Sequence, residues 1–224
     1  MSAFELVVFD LDGVLVDSEI IACGCLRETL ARHGVELDLN EVFERFLGRS
    51  FSVVETDYQR RTGHPLPASF PAELNALLIA RYRTALRVMP DATRLLRSLR
   101  TPRCIASSST PERIRLSLGL TELGELFDAN VFNTTMVARG KPAPDLFLFA
   151  AEKMGARPDR TLVIEDSISG VIGGKAAGMT VWGFVGGSHY TGREAGGMLL
   201  DAGADRIVER MADLLPHLSE AIPP

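Results

Sequence analysis

Asp10 and Asp12 lie in the run VVFDLDGVLVDSE, from Val7 to Glu19, where a short apolar segment ends in two acids separated by one residue. Side chains two apart on an extended chain point the same way, so both carboxylates leave the strand on one side. Two ionised carboxylates held close repel each other, and a shared proton or a cation relieves the repulsion. The chemistry this pair offers is a nucleophile beside a proton carrier.

Other groups with chemical use follow later apolar runs. RCIAS, Arg103 to Ser107, leads into Ser108, Ser109 and Thr110-Pro111. Hydroxyls and backbone N–H groups at such a helix opening suit an anion such as phosphate. TLVIED, Thr161 to Asp166, ends in Glu165 and Asp166, and the loop segment RGKPAPD carries Lys141. In open parallel sheets ligands bind beyond the carboxyl ends of the strands, so these residues are expected to converge on one edge. Asp10, Asp12 and Asp166 would hold Mg²⁺, a hard cation content with a few carboxylates and several waters. Glu165 either joins them as a metal ligand, directly or through water, or only supports the site. Ser107, Ser108 and Lys141 would bind phosphate oxygens. The implied reaction is phosphoryl transfer through an aspartyl phosphate. Asp10 attacks, Asp12 protonates the leaving oxygen and then acts as base on water, and Ser107 with Lys141 steadies the transferring group. Asp17, just before Ser18, reads as the cap of the next helix.

The elements that must position these groups can be read from the pattern. FELVVF, RCIAS, TLVIED, TVWGF (Thr180 to Phe184) and, more weakly, DRIVE (Asp205 to Glu209) are short, apolar strand candidates. Helix-period stretches lie between them, at 91–99, 111–118, 144–154, 167–177 and 211–218. Strands alternating with helices predict an α/β fold, a three-layer, Rossmann-like parallel sheet with helices on both faces. From Ser18 to Arg87 no strand candidate occurs, and four amphipathic stretches broken near Gly34, Gly48 and Gly63 predict helices. The organisation expected is therefore a catalytic core of residues 1–16 and 88–224 with a helical cap inserted over 17–87. GGSHYTGREAGG, Gly186 to Gly197, reads as a flexible loop before a helix.

Composition limits the function classes. Of 224 residues 46% are hydrophobic, enough for a sizeable core, and the net charge is −5 with no concentrated Lys/Arg face for nucleic acid. The start lacks a signal-peptide pattern, no apolar run is long enough for a bilayer, and an odd count of three cysteines fits a reducing compartment. The expectation is a cytoplasmic monomer or small homo-oligomer that meets neither nucleic acid nor membrane. Lys175 in GGKAAG lacks the Ser or Thr of a P-loop and reads as mid-helix. The four histidines show no ligand spacing, and only His189, in the loose loop near the sheet edge, is a candidate for a role.

Taken together, FDLDGVLVDSE, CIASS, GKPAPD and VIEDSISGVIGGKAAGM resemble, in order, the four motifs of the haloacid dehalogenase superfamily. The helical insertion resembles the cap of the subgroup containing β-phosphoglucomutase and small-metabolite phosphatases. The resemblance implies a Mg²⁺-dependent phosphatase acting on a small phosphorylated metabolite, such as a sugar phosphate or a sugar-acid phosphate of the phosphogluconate kind. It also implies a substrate-reading cap loop at LGRSFS, with Gly48, Arg49 and Ser50. The alternatives are a β-phosphoglucomutase-like phosphoryl transfer and a non-catalytic binding module on the same fold. Asp12 disfavours the dehalogenases, which lack a second Asp. Ala22 stands where the mutase has a cap His. No Lys lies between Ser18 and Arg87, which argues against the phosphonate-cleaving branch.

Overall fold

The computed structural model describes residues 4–127 and 129–218. The chain divides into two compact units, one from the described residues of Met1–Asp17 with Arg87–Pro224, the other Ser18–Leu86. Inside the first unit the outgoing and returning chains touch, where Asp17 N–H donates to Arg87 O at 2.9 Å.

The first unit is built on strands β1 (Leu6–Phe9), β2 (Arg103–Ser107), β3 (Val131–Asn133), β4 (Thr161–Glu165), β5 (Thr180–Phe184) and β6 (Arg206–Val208). Among the described residues they form one sheet in the order β3-β2-β1-β4-β5-β6, with every pairing parallel. All four residues of β1 and all five of β4 are buried, as expected of strands covered on both faces. The two faces use alternate residues. Leu6, Val8, Cys104, Ala106, Val163 and Val181 share one apolar cluster with Leu146, Phe147 and Val171. On the other face Phe9 packs edge-on against Phe127, with ring centroids 6.3 Å apart. This is the three-layer α/β arrangement, and it places the carboxyl ends of β1, β2 and β4 side by side.

The second unit consists, among its described elements, of helices α1 (Glu19–Arg32), α2 (Leu39–Phe46), α3 (Phe51–Thr62) and α4 (Phe70–Ala85). A core of Leu26, Leu30, Val42, Phe43, Phe46, Tyr58 and Phe70 holds them together. Asp38 and Glu41 form a reciprocal capping box that starts α2. The helices of the first unit are α5 (Ala92–Ser98), α6 (Pro111–Thr121), α7 (Asp145–Lys153), α8 (Ile168–Ala176), α9 (Gly196–Asp201) and α10 (Leu215–Leu218).

The structure departs from the sequence pattern in two places. Strand β3 has no counterpart among the strand candidates. It has three residues at the sheet edge and, among the described residues, pairs with β2 alone, too short for a periodic signal. The Gly186–Gly197 segment is not simply a loose loop. His189 and Tyr190 are buried, while the helix expected after it, α9, begins at its end with Gly196.

Candidate active site

Asp10 follows the last residue of β1, and its N–H is fixed by Ile164 O of β4 at 3.0 Å. After it the chain turns tightly, with Gly13 N–H donating to Val16 O at 2.9 Å and Gly13 at φ 77°. The positive φ favours glycine there.

Lys141 is the centre of the arrangement. Its ammonium donates to Asp10 Oδ1 at 2.5 Å, Glu165 Oε1 at 2.6 Å and Ala106 O at 2.8 Å, which uses all three of its N–H groups. The lysine side chain is only 3% exposed. Two carboxylates therefore share one buried cation. Burial raises the pKa of Asp10 to about 8; Lys141 opposes the rise, and Glu165 and Asp12 add to it. The attraction of Asp10 and Glu165 raises Lys141 above its ordinary value against the effect of burial.

Glu165 is held at both ends. Its Oε2 accepts from Ser167 N–H at 2.8 Å and from Ser167 Oγ–H at 2.9 Å. With Oε1 on Lys141, the geometry is that of a group orienting its neighbours. Ser167, not Glu165 or Asp166, caps α8, accepting from Gly170 N–H at 3.0 Å. Gly170 is needed for space, because a Cβ there would lie 1.7 Å from Glu165 Oε1. Gly170→Ala is expected to destabilise the protein by about 3 kcal/mol, the scale of an overpacked core. Urea unfolding measures it, and an unchanged midpoint would show that α8 can move aside freely.

Asp12 is anchored separately. Ser109 Oγ–H donates to Asp12 Oδ2 at 2.5 Å, and an Arg113 amino group lies 3.7 Å from Asp12 Oδ1. Ser107 Oγ accepts from Ser109 N–H at 3.0 Å, so Ser107 shapes the turn after β2. Thr110 caps α6, and Pro111 begins it. Ser108 is exposed. The contacts of Asp12 with Ser109 and Arg113 are not signalled by the local sequence around Asp12. Arg113 stands three residues after the Thr110 cap, so one helical turn returns it towards the strand end; that spacing was the available signal.

Asp166 is buried at the end of β4. Tyr190 Oη–H donates to its carbonyl at 2.5 Å, and His189 Nε2 lies 3.4 Å from its Oδ2. Burial pushes the His189 pKa down to about 4, which leaves the imidazole neutral near pH 7. Asp17 does not cap α1. Its Oδ1 accepts from Ser188 N–H at 3.0 Å and Ser188 Oγ–H at 2.9 Å, while the residue at the helix start is Ser18.

Asp10, Asp12, Ser107, Lys141, Glu165 and Asp166 thus lie at the carboxyl ends of β1, β2 and β4 or in the loop that reaches them. Gly48, Arg49 and Ser50 lie in the helical unit, exposed, in the turn between α2 and α3. Arg49 N–H donates to Phe46 O at 3.1 Å, and Ser50 Oγ pairs with Ser52 Oγ at 2.7 Å.

Among the described residues no three His, Cys, Asp or Glu side chains form a preassembled metal cluster. Mg²⁺ does not require one, since it is held by one or two carboxylates together with water and substrate phosphate. The donor set fits it: hard carboxylate oxygens, with Asp10 and Asp166 both buried close to a single ammonium.

A family model for haloacid dehalogenase-like hydrolases matches residues 4–178, and the chain belongs to that family. It is 30% identical over 190 residues to a 6-phosphogluconate phosphatase of Escherichia coli, a match covering 84% of this chain and 86% of that one. It is 34% identical over 188 residues to a probable pseudouridine-5'-phosphatase of Drosophila melanogaster, covering 78% of each. A crystal structure of a haloacid dehalogenase-like protein of unknown function from Agrobacterium tumefaciens superposes with a TM-score of 0.86 at 36% identity, over 95% of this chain and 96% of that one. Among the described residues no helix is long and apolar enough to cross a membrane.

Proposed function

We propose that this enzyme, a phosphoric monoester hydrolase, is a Mg²⁺-dependent phosphatase that works through an aspartyl phosphate on Asp10. Its proposed substrate is a sugar phosphate or a sugar-acid phosphate of the phosphogluconate kind. The observation that carries the reading is the single ammonium of Lys141 bound at once to Asp10 and Glu165. It fixes one carboxylate at a strand end and leaves a cation-seeking charge beside it.

Asp10 attacks phosphorus through a carboxylate oxygen, and the bond to the ester oxygen breaks. Asp12, steadied by Ser109 and Arg113, gives its proton to that leaving oxygen. It then takes a proton from the water that attacks the aspartyl phosphate, which returns Asp10 and frees inorganic phosphate. Ser107, the backbone N–H groups around Ser108 and Lys141 hold the phosphoryl oxygens. Glu165 keeps Lys141 aimed at Asp10. Asp10 and Asp166 would hold the metal, with Asp12 beside them; bound there, Mg²⁺ supplies positive charge that favours the ionised form of Asp10 and offsets its repulsion of the phosphate.

The sugar-acid preference draws on the Escherichia coli relative and on Arg49 with Ser50, a cation and a hydroxyl suited to a carboxylate or diol. Arg49→Ala is expected to raise KM for the preferred substrate on the order of tenfold, the scale of one charged hydrogen bond, while leaving KM for p-nitrophenyl phosphate nearly unchanged. Equal changes in both would remove Arg49 from substrate selection.

The deciding experiment is phosphate release from a panel of sugar phosphates, sugar-acid phosphates and nucleotides, in Mg²⁺ and in EDTA. Release confined to one compound class, lost in EDTA and restored by Mg²⁺, is the expected result. Turnover indifferent to EDTA would contradict the metal assignment. Conversion of a sugar phosphate to its isomer without phosphate release would support the mutase instead, although Ala22 provides no cap imidazole for it.

A further inference from the structure

We propose that His189 is a positioning residue for Asp166, tuning the affinity of that carboxylate for the divalent cation; this rests on the reading of Asp166 as a metal ligand. His189 is 1% exposed, and among the described residues neither of its ring nitrogens completes a hydrogen bond. A buried imidazole with both nitrogens unsatisfied is unfavourable, and an apolar side chain would fill the space without that penalty.

The surrounding chain is nevertheless built around this ring. Gly187 lets the backbone pass close, since a Cβ there would lie 2.5 Å from His189 Cε1. Ser188 is pinned twice to Asp17. The Tyr190 ring lies against the imidazole, centroids 4.0 Å apart, and its hydroxyl holds the Asp166 carbonyl. Consecutive residues thus fix the main chain of Asp166 and set an imidazole Nε2 3.4 Å from its Oδ2. The other charged groups acting on the ring are Asp17 and Arg193.

A neutral imidazole has one N–H and one lone pair. With the N–H on Nε2, the ring would turn a donor towards Asp166 Oδ2, 3.4 Å away, and leave the other carboxylate oxygen for the cation. Carboxylates that bind metals are commonly held this way by a neighbouring donor, and loss of the donor weakens binding by about 10- to 100-fold.

The test is calorimetric titration of the full chain with MgCl₂ alone, without substrate, alongside thermal melts in EDTA. His189→Leu is expected to weaken Mg²⁺ binding by about 10- to 100-fold. His189→Gln, which returns an N–H at similar reach, is expected to restore most of it. A merely structural role would lower the melting temperature in EDTA and leave Mg²⁺ affinity unchanged, and that result overturns the proposal. Should His189→Leu fail to fold, His189→Gln against His189→Asn decides: equal Mg²⁺ affinity in those two, whose amides reach the Nε2 and Nδ1 positions, also overturns it. Asp166→Asn separates the two levels of the argument. If it weakens Mg²⁺ binding and His189→Leu does not, only the role of His189 falls; if it has no effect, the ligand assignment of Asp166 falls and the inference with it.

Discussion

Asp10→Asn is expected to lower phosphate release by at least about 10⁴-fold, the scale on which loss of a covalent nucleophile acts, while the fold is retained. Asparagine has the same shape and still offers an oxygen to Lys141. It cannot form the acyl phosphate, so no intermediate accumulates. Stability should move the other way. The pKa of Asp10 is raised to about 8, first by burial and then by Glu165 and Asp12, with Lys141 opposing. Its unfolded value lies near 4, so between about pH 4 and pH 8 the folded protein holds a proton that the unfolded chain has released. Stability contributed by such a group is full below the lower value and is lost as pH rises through the upper one. In EDTA the wild-type protein should therefore lose stability from about pH 6.5 to pH 8, above the range in which His189, neutral in the fold and protonatable in the unfolded chain, acts in the opposite sense, and Asp10→Asn should flatten that slope. Urea titrations across this range measure it. Residual turnover within tenfold of wild type would remove the aspartyl-phosphate route, and an unchanged slope would remove the charge argument.

The strand ends were legible because each combines two local signals, an apolar β-branched run and an abrupt polar stop. VVFDLD and LVIED show both, and so place their acids at the sheet edge. The helical unit was legible from the absence of strand candidates and the spacing of its glycines. What was not legible depends on distant neighbours. Ser109 gains its role only because β1 and β2 are adjacent, which brings its hydroxyl to Asp12 across 97 positions of sequence. Asp17 has the local signature of a helix cap, yet its partner is Ser188, 171 positions away. The segment around His189 is rich in Gly and polar residues and reads as mobile, but Asp17 holds Ser188 and Asp166 holds Tyr190, on either side of the imidazole. Strand β3 stayed hidden for a related reason. Val131–Asn133 is a strand because β2 offers it an edge, not because three residues carry a pattern.

Lys141→Ala should be among the most damaging single changes to both fold and activity. The substitution leaves Asp10 and Glu165, both buried, without their shared cation. Removing one partner of a buried ion pair destabilises by about 3–5 kcal/mol, because the remaining charge is uncompensated. In a protein of this size each kcal/mol corresponds to roughly 2–4 °C, so the melting temperature in EDTA should fall by about 10 °C. Turnover should be lost as well, since the ammonium aimed at Asp10 is the fixed charge nearest the reacting carboxylate. A second substitution separates the two effects. In the double variant Lys141→Ala with Glu165→Gln, one buried charge disappears, and much of the lost stability should return. Activity should not return, because nothing replaces the ammonium proposed to hold the phosphoryl oxygens. If the double variant is no more stable than Lys141→Ala, the damage comes from lost packing against Phe147, whose ring centroid lies 5.1 Å from Nζ, and not from unbalanced charge. If the double variant regains turnover, Lys141 serves only to neutralise Glu165, and the binding of phosphoryl oxygens falls to Ser107 and the backbone N–H groups that follow it.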